Sequence, residues 1–124
     1  GSPYEIVYGH NDLLAANFIK KNKKLYLVDW EYAGYNTPLF DLGGLSSNNN
    51  FNKREEILML ENYFDCKISN SLLNKYYCLK TASLLRETMW SMVAEIISNI
   101  DFDYKSYTEQ NLENFKKSFQ KLEL

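Results

Sequence analysis

Four carboxylates, Asp12, Asp29, Glu31 and Asp41, fall within thirty residues that follow the single histidine, His10. Asp12 follows the short apolar run Ile6-Val7-Tyr8, and Asn17 comes five residues after it. Asp29 and Glu31 lie two apart just past Leu25-Tyr26-Leu27-Val28, so both face one side if that run is a strand. Hard oxygen donors at strand ends suit Mg2+, which takes one or two carboxylates and keeps waters for substrate phosphates. Converging carboxylates also repel one another and call for a cation. Taken singly, each Asp or Asn reads more readily as a turn or helix cap. Only the combined spacing favours chemistry.

The elements that must position these groups divide the chain in two. Residues 1–52 hold all five Gly and both Pro. Phe18-Ile19 and Leu25–Val28 flank Lys20-Lys21-Asn22-Lys23-Lys24, a pattern that predicts a two-stranded hairpin with a charged tip. Ile6-Val7-Tyr8 predicts a further short strand. After Val28, the breakers Gly34, Asn36 and Pro38 and then Asn48-Asn49-Asn50 predict a turn-rich loop. From Lys53 onward there is neither Gly nor Pro, and helical spacing takes over. Ile57, Leu58, Leu60 and Phe64 mark one helix, Asn70 to Ile100 a long one, and Tyr104 to Leu122 a third. The expected fold is α+β and mostly α, with hairpin and loops (1–52) packed on a helical part (53–124). Loops mounted on such a scaffold are where catalysis usually sits.

Composition limits the classes of function. The chain has 124 residues, 45% of them hydrophobic, which is one domain with a real core and not a disordered segment. A net charge of −2 leaves no excess for a basic face, so nucleic acid and anionic membranes are not expected partners. No apolar run approaches the length of a membrane span, and Gly1-Ser2-Pro3-Tyr4 has neither the basic nor the apolar part of a signal peptide. Cys66 and Cys78 belong to no ligand cluster and suit free thiols in a cytoplasmic protein. One histidine and no Cys-x-x-Cys argue against a closed zinc site.

The order His10-Asn11-Asp12-Leu13-Leu14-Ala15-Ala16-Asn17, hairpin, Val28-Asp29-Trp30-Glu31-Tyr32, then Phe40-Asp41-Leu42-Gly43 resembles the choline/ethanolamine kinase family. That family belongs to the aminoglycoside phosphotransferase superfamily, whose fold is similar to protein kinases. Its H-x-D-x-x-x-x-N loop matches at His10, Asp12 and Asn17, its D-W/F-E-Y at Asp29 to Tyr32, and its F-D-L/I-G at Phe40 to Gly43. Trp90-Ser91-Met92-Val93, Ile97-Ser98, Ile100-Asp101-Phe102-Asp103-Tyr104 and Tyr107 match the choline/ethanolamine branch. The resemblance implies the C-terminal lobe of a kinase-like phosphotransferase that uses ATP and Mg2+. It implies Asp12 as the group that orients or accepts the alcohol proton, with His10 bracing the loop. Asn17 and Asp29 would hold the metal on the nucleotide phosphates, Glu31 would stand behind them or at a second metal, and Asp41 would tie the catalytic loop from beneath.

The implied acceptor is choline or a related small amino-alcohol. A quaternary ammonium donates no hydrogen bonds and is recognised by aromatic faces. Trp90, Tyr32, Tyr104 and Tyr107 are the candidates for such a box, and Tyr35 is a weaker one that reads more readily as packing. Some relatives have tryptophan where this chain has Glu87, and some have glutamate where it has Asn48. Glu87 can pair with a cationic amine, which moves the expectation toward ethanolamine or another small amine. The competing readings are an aminoglycoside or thiamine kinase, a choline-binding module without chemistry and, with little support, a metal-dependent phosphodiesterase.

No glycine-rich nucleotide loop or strand lysine precedes Gly9, so the chain is expected to be a lobe that lacks the nucleotide-binding N-terminal part and is inactive alone. Phe18, Ile19, Leu25 and Leu27 would then form an apolar patch that favours a dimer.

Overall fold

The computed structural model describes Ser2 and residues 5–122; Gly1, Pro3 and Tyr4, read above for a leader, lie outside them. Strand β1 (Val7–Gly9) leads into the 10–17 loop, which closes in a 3-10 turn at Ala15–Asn17. The hairpin follows as predicted: β2 (Phe18–Lys21) pairs antiparallel with β3 (Lys24–Leu27), Phe18 opposite Leu27 and Lys21 opposite Lys24. Asn22 and Lys23 make its two-residue turn, both at positive φ (50° and 63°), the geometry that matches the twist of the flanking strands. Strand β4 (Gly34–Asn36) returns to pair with β1, Gly9 opposite Gly34. Of the predicted apolar patch, Ile19 and Leu25 are exposed and Phe18 and Leu27 half-buried.

The predicted loop after Val28 is overturned over half its length. Residues 34–36 are strand, and Pro38–Asn48 is helix α1. Each supposed breaker has a different use. Thr37 caps the helix by accepting the Leu39 N–H, and Pro38 fills the first helical turn, where a missing N–H costs nothing. Gly43 and Gly44 let α1 approach the long helix α3 (Asn70–Ile97): a Cβ built on Gly43 would lie 2.6 Å from the Lys80 Cα.

Gly43→Ala therefore sets two effects against each other. Alanine gains about 1 kcal/mol of helix propensity, but its methyl meets backbone that cannot swing away, and overpacking costs roughly 1–3 kcal/mol or more. The clash wins. We expect a net loss of about 2 kcal/mol in urea unfolding; an unchanged midpoint would mean that α1 and α3 can separate freely.

Helix α2 (Lys53–Phe64) starts in a reciprocal capping box between Asn52 and Glu55. Helix α3 starts at its Ser69 cap, and α4 (Tyr104–Gln120) at Asp103, whose carboxylate accepts from the Ser106 N–H at 3.0 Å. Hydrogen bonding from the Ser106 side chain, and then from its N–H, holds the Asp103 carboxyl below its usual range. These three helices match the predicted ones in place and order. The core joins Leu39 and Leu42 of α1, Leu60 and Phe64 of α2, and Leu72 and Tyr76 of α3. Helices α3 and α4 pack through small or short polar side chains, among them Thr81, Thr88, Ser91 and Thr108, with the Thr81 and Ser118 hydroxyls 2.6 Å apart. Cys66 and Cys78 are free thiols. Among the described residues no helix is long and apolar enough to cross a membrane.

Candidate active site

The 10–17 loop is held from four sides. From below, Asp41 in the first turn of α1 accepts both the His10 and the Asn11 backbone N–H at 2.7 Å. The approach is so close that a Cβ on Gly9 would lie 2.8 Å from the Asp41 carboxylate. From β3, the Val28 carbonyl accepts from His10 Nε2 at 2.8 Å, and the Val28 N–H donates to the Asn17 carbonyl at 2.9 Å. A carbonyl only accepts and an N–H only donates, so His10 carries its hydrogen on Nε2 while Nδ1 accepts the Asp12 N–H at 3.2 Å. Both ring nitrogens are thus occupied in bracing the loop, and neither is free to take a substrate proton. From the β4 side, Asn11, itself at φ 62°, donates to the Tyr32 carbonyl and accepts from Asn36. From α3, Arg86 donates to the Asn11 carbonyl and lies 3.8 Å from Asp12 Oδ1.

Asn17 is buried, and its Nδ2 donates to the Asp12 carbonyl at 2.9 Å. With Nδ2 committed there, its Oδ1 has no partner among the described residues. Asp29 follows Val28, the residue that Asn17 and His10 both grip. It sits in left-handed backbone (φ 61°), exposed, and its carboxylate has no partner among the described residues. The Val28 N–H bond to the Asn17 carbonyl sets Asp29 one residue from that contact, and an amide oxygen and a carboxylate are donor types that Mg2+ takes. Glu31 lies on the exposed turn beyond, with no hydrogen bond or ion pair to either. Among the described residues no three His, Cys, Asp or Glu side chains group as a metal cluster.

Beside Asp12 opens a recess of about 350 Å3. The five residues singled out for an amine pocket, Trp90, Tyr32, Tyr104, Tyr107 and Glu87, all line it. So do Asp12 and Leu14, and two residues the sequence reading missed, Arg86 and Phe102. The rings meet edge to face: Phe102 on Tyr104 at 4.9 Å, Phe102 on Tyr107 at 5.8 Å and Trp90 on Tyr104 at 6.1 Å between centroids. Tyr35 is elsewhere, 80% exposed on β4 against Tyr8. The recess carries Asp12 and Glu87 against Arg86, a net charge of −1 at its walls. Two signals pointed at the missed pair. Phe102 sits inside the quoted 100–104 run, and Arg86 precedes Trp90 by one helical turn, which puts both on the same face.

Tyr107 donates to Glu87 Oε1 at 2.7 Å, which leaves Oε2 free. Burial, and then the Glu87 carboxylate that the phenol hydrogen-bonds, push the Tyr107 phenol from 10.0 up to about 12. Between those values the unfolded chain releases a proton that the folded chain keeps. This share of stability is intact below pH 10.0 and is lost as pH rises to about 12. Tyr107→Phe removes it, so the urea midpoint of the variant should fall less steeply across that window; identical slopes would show that Tyr107 is not held neutral by Glu87.

The choline/ethanolamine kinase family model matches residues 2–58. A probable ethanolamine kinase of Arabidopsis thaliana is 29% identical over 136 residues, covering 90% of this chain and 35% of that protein. The crystal structure of a choline/ethanolamine kinase family protein from Mesorhizobium loti superposes with a TM-score of 0.84 at 27% identity, covering 95% of this chain and 40% of that one. The choline kinase LicA from Streptococcus pneumoniae gives 0.72 at 26% identity, covering 94% and 40%. The chain thus spans about two fifths of the length of the proteins it matches. Family model, relatives and fold agree in making this chain similar to the choline/ethanolamine kinase family.

Proposed function

We propose that this chain is the catalytic and acceptor-binding lobe of a phosphotransferase that moves the γ-phosphoryl group of ATP to the hydroxyl of choline, ethanolamine or a similar small amino-alcohol. The observation that carries the reading is the position of Asp12. Its carboxylate lies at one wall of an aromatic recess that is net negative, so a cation seated on the rings would present its hydroxyl to Asp12. On this reading residues 1–52 supply the catalytic loops and 53–124 the helical support, and a nucleotide-covering part is contributed from outside this chain.

Phosphoryl transfer asks the protein mainly to position groups and balance charge. Asp12 orients the hydroxyl and receives its proton as the new bond forms. Asp41, His10 and Arg86 fix the backbone leading into Asp12, and Asn17 holds its carbonyl. Asn17 Oδ1 and the Asp29 carboxylate would hold Mg2+, which when bound neutralises charge on the phosphates. Glu31 is left to a supporting role. The free Oε2 of Glu87 can accept from a primary ammonium, while a quaternary one would rest on the rings alone. ATP use and free thiols suit an enzyme of the cytoplasm.

The test is turnover by the intact phosphotransferase with choline, ethanolamine, thiamine and an aminoglycoside, with and without EDTA. Phosphorylation of an amino-alcohol, abolished by EDTA, is expected, and the isolated chain should be inactive. Trp90→Ala should raise KM for the amine roughly two- to thirtyfold, the equivalent of ~0.5–2 kcal/mol, with little change in kcat. Preference for thiamine or an aminoglycoside would replace the acceptor assigned here. Tight amine binding without ATP turnover would make the chain part of a binding module.

A further inference from the structure

The recess accounts for one face of α3. Away from it, where α1, α2, α3 and α4 meet, lies a larger cavity of about 570 Å3 that shares no lining residue with it. Its charge runs against the rest of the molecule. In a chain of net charge −2, Lys53, Lys80, Lys117 and Lys121 line this cavity against a single carboxylate, Glu56. Glu56 is 3% exposed and already committed to Lys80, Tyr76 and Tyr77. Among the described residues Lys117 pairs only with Glu113, in a contact open to solvent that contributes little. Lys53 and Lys121 have no carboxylate partner among the described residues. Lys53 moreover begins helix α2, where the helix dipole already disfavours a cation.

Neutral donors accompany the lysines. Asn114 accepts from Gln110 through Oδ1, which leaves its Nδ2 free, and the Asn50 side chain has no partner among the described residues. Part of the wall is apolar, through Phe51, Tyr77 and Leu84. Uncompensated ammonium groups, free amide donors and an apolar side wall together match one ligand chemistry. We propose that this cavity is a binding site for a small phosphorylated organic molecule carrying at least two negative charges. The phosphate sits among Lys53, Lys117 and Lys121, the organic part rests against Phe51 and Leu84, and Glu56 with Lys80 forms the floor. A cavity of this size falls within the range of small-molecule sites. The site is separate from the nucleotide and acceptor groups, so its occupancy does not depend on Asp12 or Asp29.

Calorimetric titration of the chain with inorganic pyrophosphate in EDTA tests the charge requirement without any metal-assisted binding elsewhere. One saturable site is expected, weakened by added salt. The double variant Lys53→Gln/Lys121→Gln should lose about tenfold or more in affinity, because charge-assisted contacts are the strong ones. Lys20→Gln/Lys24→Gln on the hairpin should lose none, nor should Asp29→Ala. All these positions are exposed, and thermal unfolding verifies that each variant is folded. Glucose 6-phosphate, which adds an organic part, should bind at least as tightly as orthophosphate. Absence of saturation, an equal loss in the hairpin variant, or full affinity in Lys53→Gln/Lys121→Gln overturns the proposal.

Discussion

Asp12→Asn in the intact phosphotransferase is expected to slow phosphoryl transfer by roughly 100- to 10,000-fold, the usual worth of a positioned proton acceptor. The substitution keeps the size and the hydrogen-bonding edge of the side chain but removes its ability to take the proton. The loop should survive it. Its backbone is fixed by Asp41 from α1, by Val28 through His10 and by Arg86, none of which uses the Asp12 carboxylate to hold the main chain. What is lost is the long ion pair with Arg86 at 3.8 Å, partly open to solvent and worth about 1 kcal/mol. The expected signature is therefore a fall in kcat with a nearly unchanged KM for ATP and an unfolding midpoint close to that of the wild type. Near-normal turnover would remove Asp12 from the role of base. A large loss of stability would instead make its pairing with Arg86 structural. Arg86→Lys separates the two further: it keeps a charge but loses the fork that reaches both Asp12 and the Asn11 carbonyl, and should lower kcat without abolishing it.

The unequal legibility of the chain has a physical pattern. The hairpin was readable because its two apolar runs flank a charged tip, and the helices α2 to α4 because their apolar spacing is uninterrupted. Helix α1 was not, because Pro38, Gly43 and Gly44 serve it through features outside the local sequence. The proline sits at the one helical position that tolerates it, and the glycines answer to Lys80 and Ser83 nearly forty residues away. The site divides in the same way. Asp12, Asn17 and Asp29 were visible as a spaced set, and the recess residues through the resemblance to the choline/ethanolamine kinase branch. Arg86 was hidden because its partners, Asn11 and Asp12, lie across the fold on a loop. At Asp12, part of the cation that converging carboxylates call for is therefore this arginine. Glu56 is a sharper case. Sequence places it on the first turn of a capped helix, where an acidic residue is unremarkable. Only the packing of α2 on α3 shows that it is buried.

That burial makes Glu56→Ala the largest expected loss of stability. Glu56 Oε1 accepts from the Tyr76 hydroxyl at 3.0 Å and from Lys80 Nζ, and Oε2 accepts from the Tyr77 hydroxyl at 3.4 Å. The Tyr76 hydroxyl gives its one hydrogen to Glu56, and the Ser46 hydroxyl beside it shares its own hydrogen between the Gly43 carbonyl and the Tyr76 oxygen. The relay thereby ties α1 to α3 and α3 to α2. Burial, with the Glu56 charge beside it, holds the Tyr76 phenol far above its ordinary range, so the phenol stays a donor throughout the alkaline region. Removing the carboxylate leaves an ammonium whose side chain is 18% exposed and two phenols without their acceptor. Breaking a buried pair from one side costs about 3–5 kcal/mol, and Lys80 opens on the lysine-lined cavity, where it can regain water. The lower end of that range is therefore expected from urea unfolding. Glu56→Leu/Lys80→Leu removes both charges together, and its apolar side chains recover most of the loss, because a buried pair is worth little against well-packed hydrophobes. The distinction is measurable. A double variant as unstable as Glu56→Ala would mean that the tyrosine hydrogen bonds, not the stranded lysine, dominate the energy of this junction, and a single variant within 1 kcal/mol of wild type, roughly the range of an exposed pair, would mean that Lys80 is solvated already.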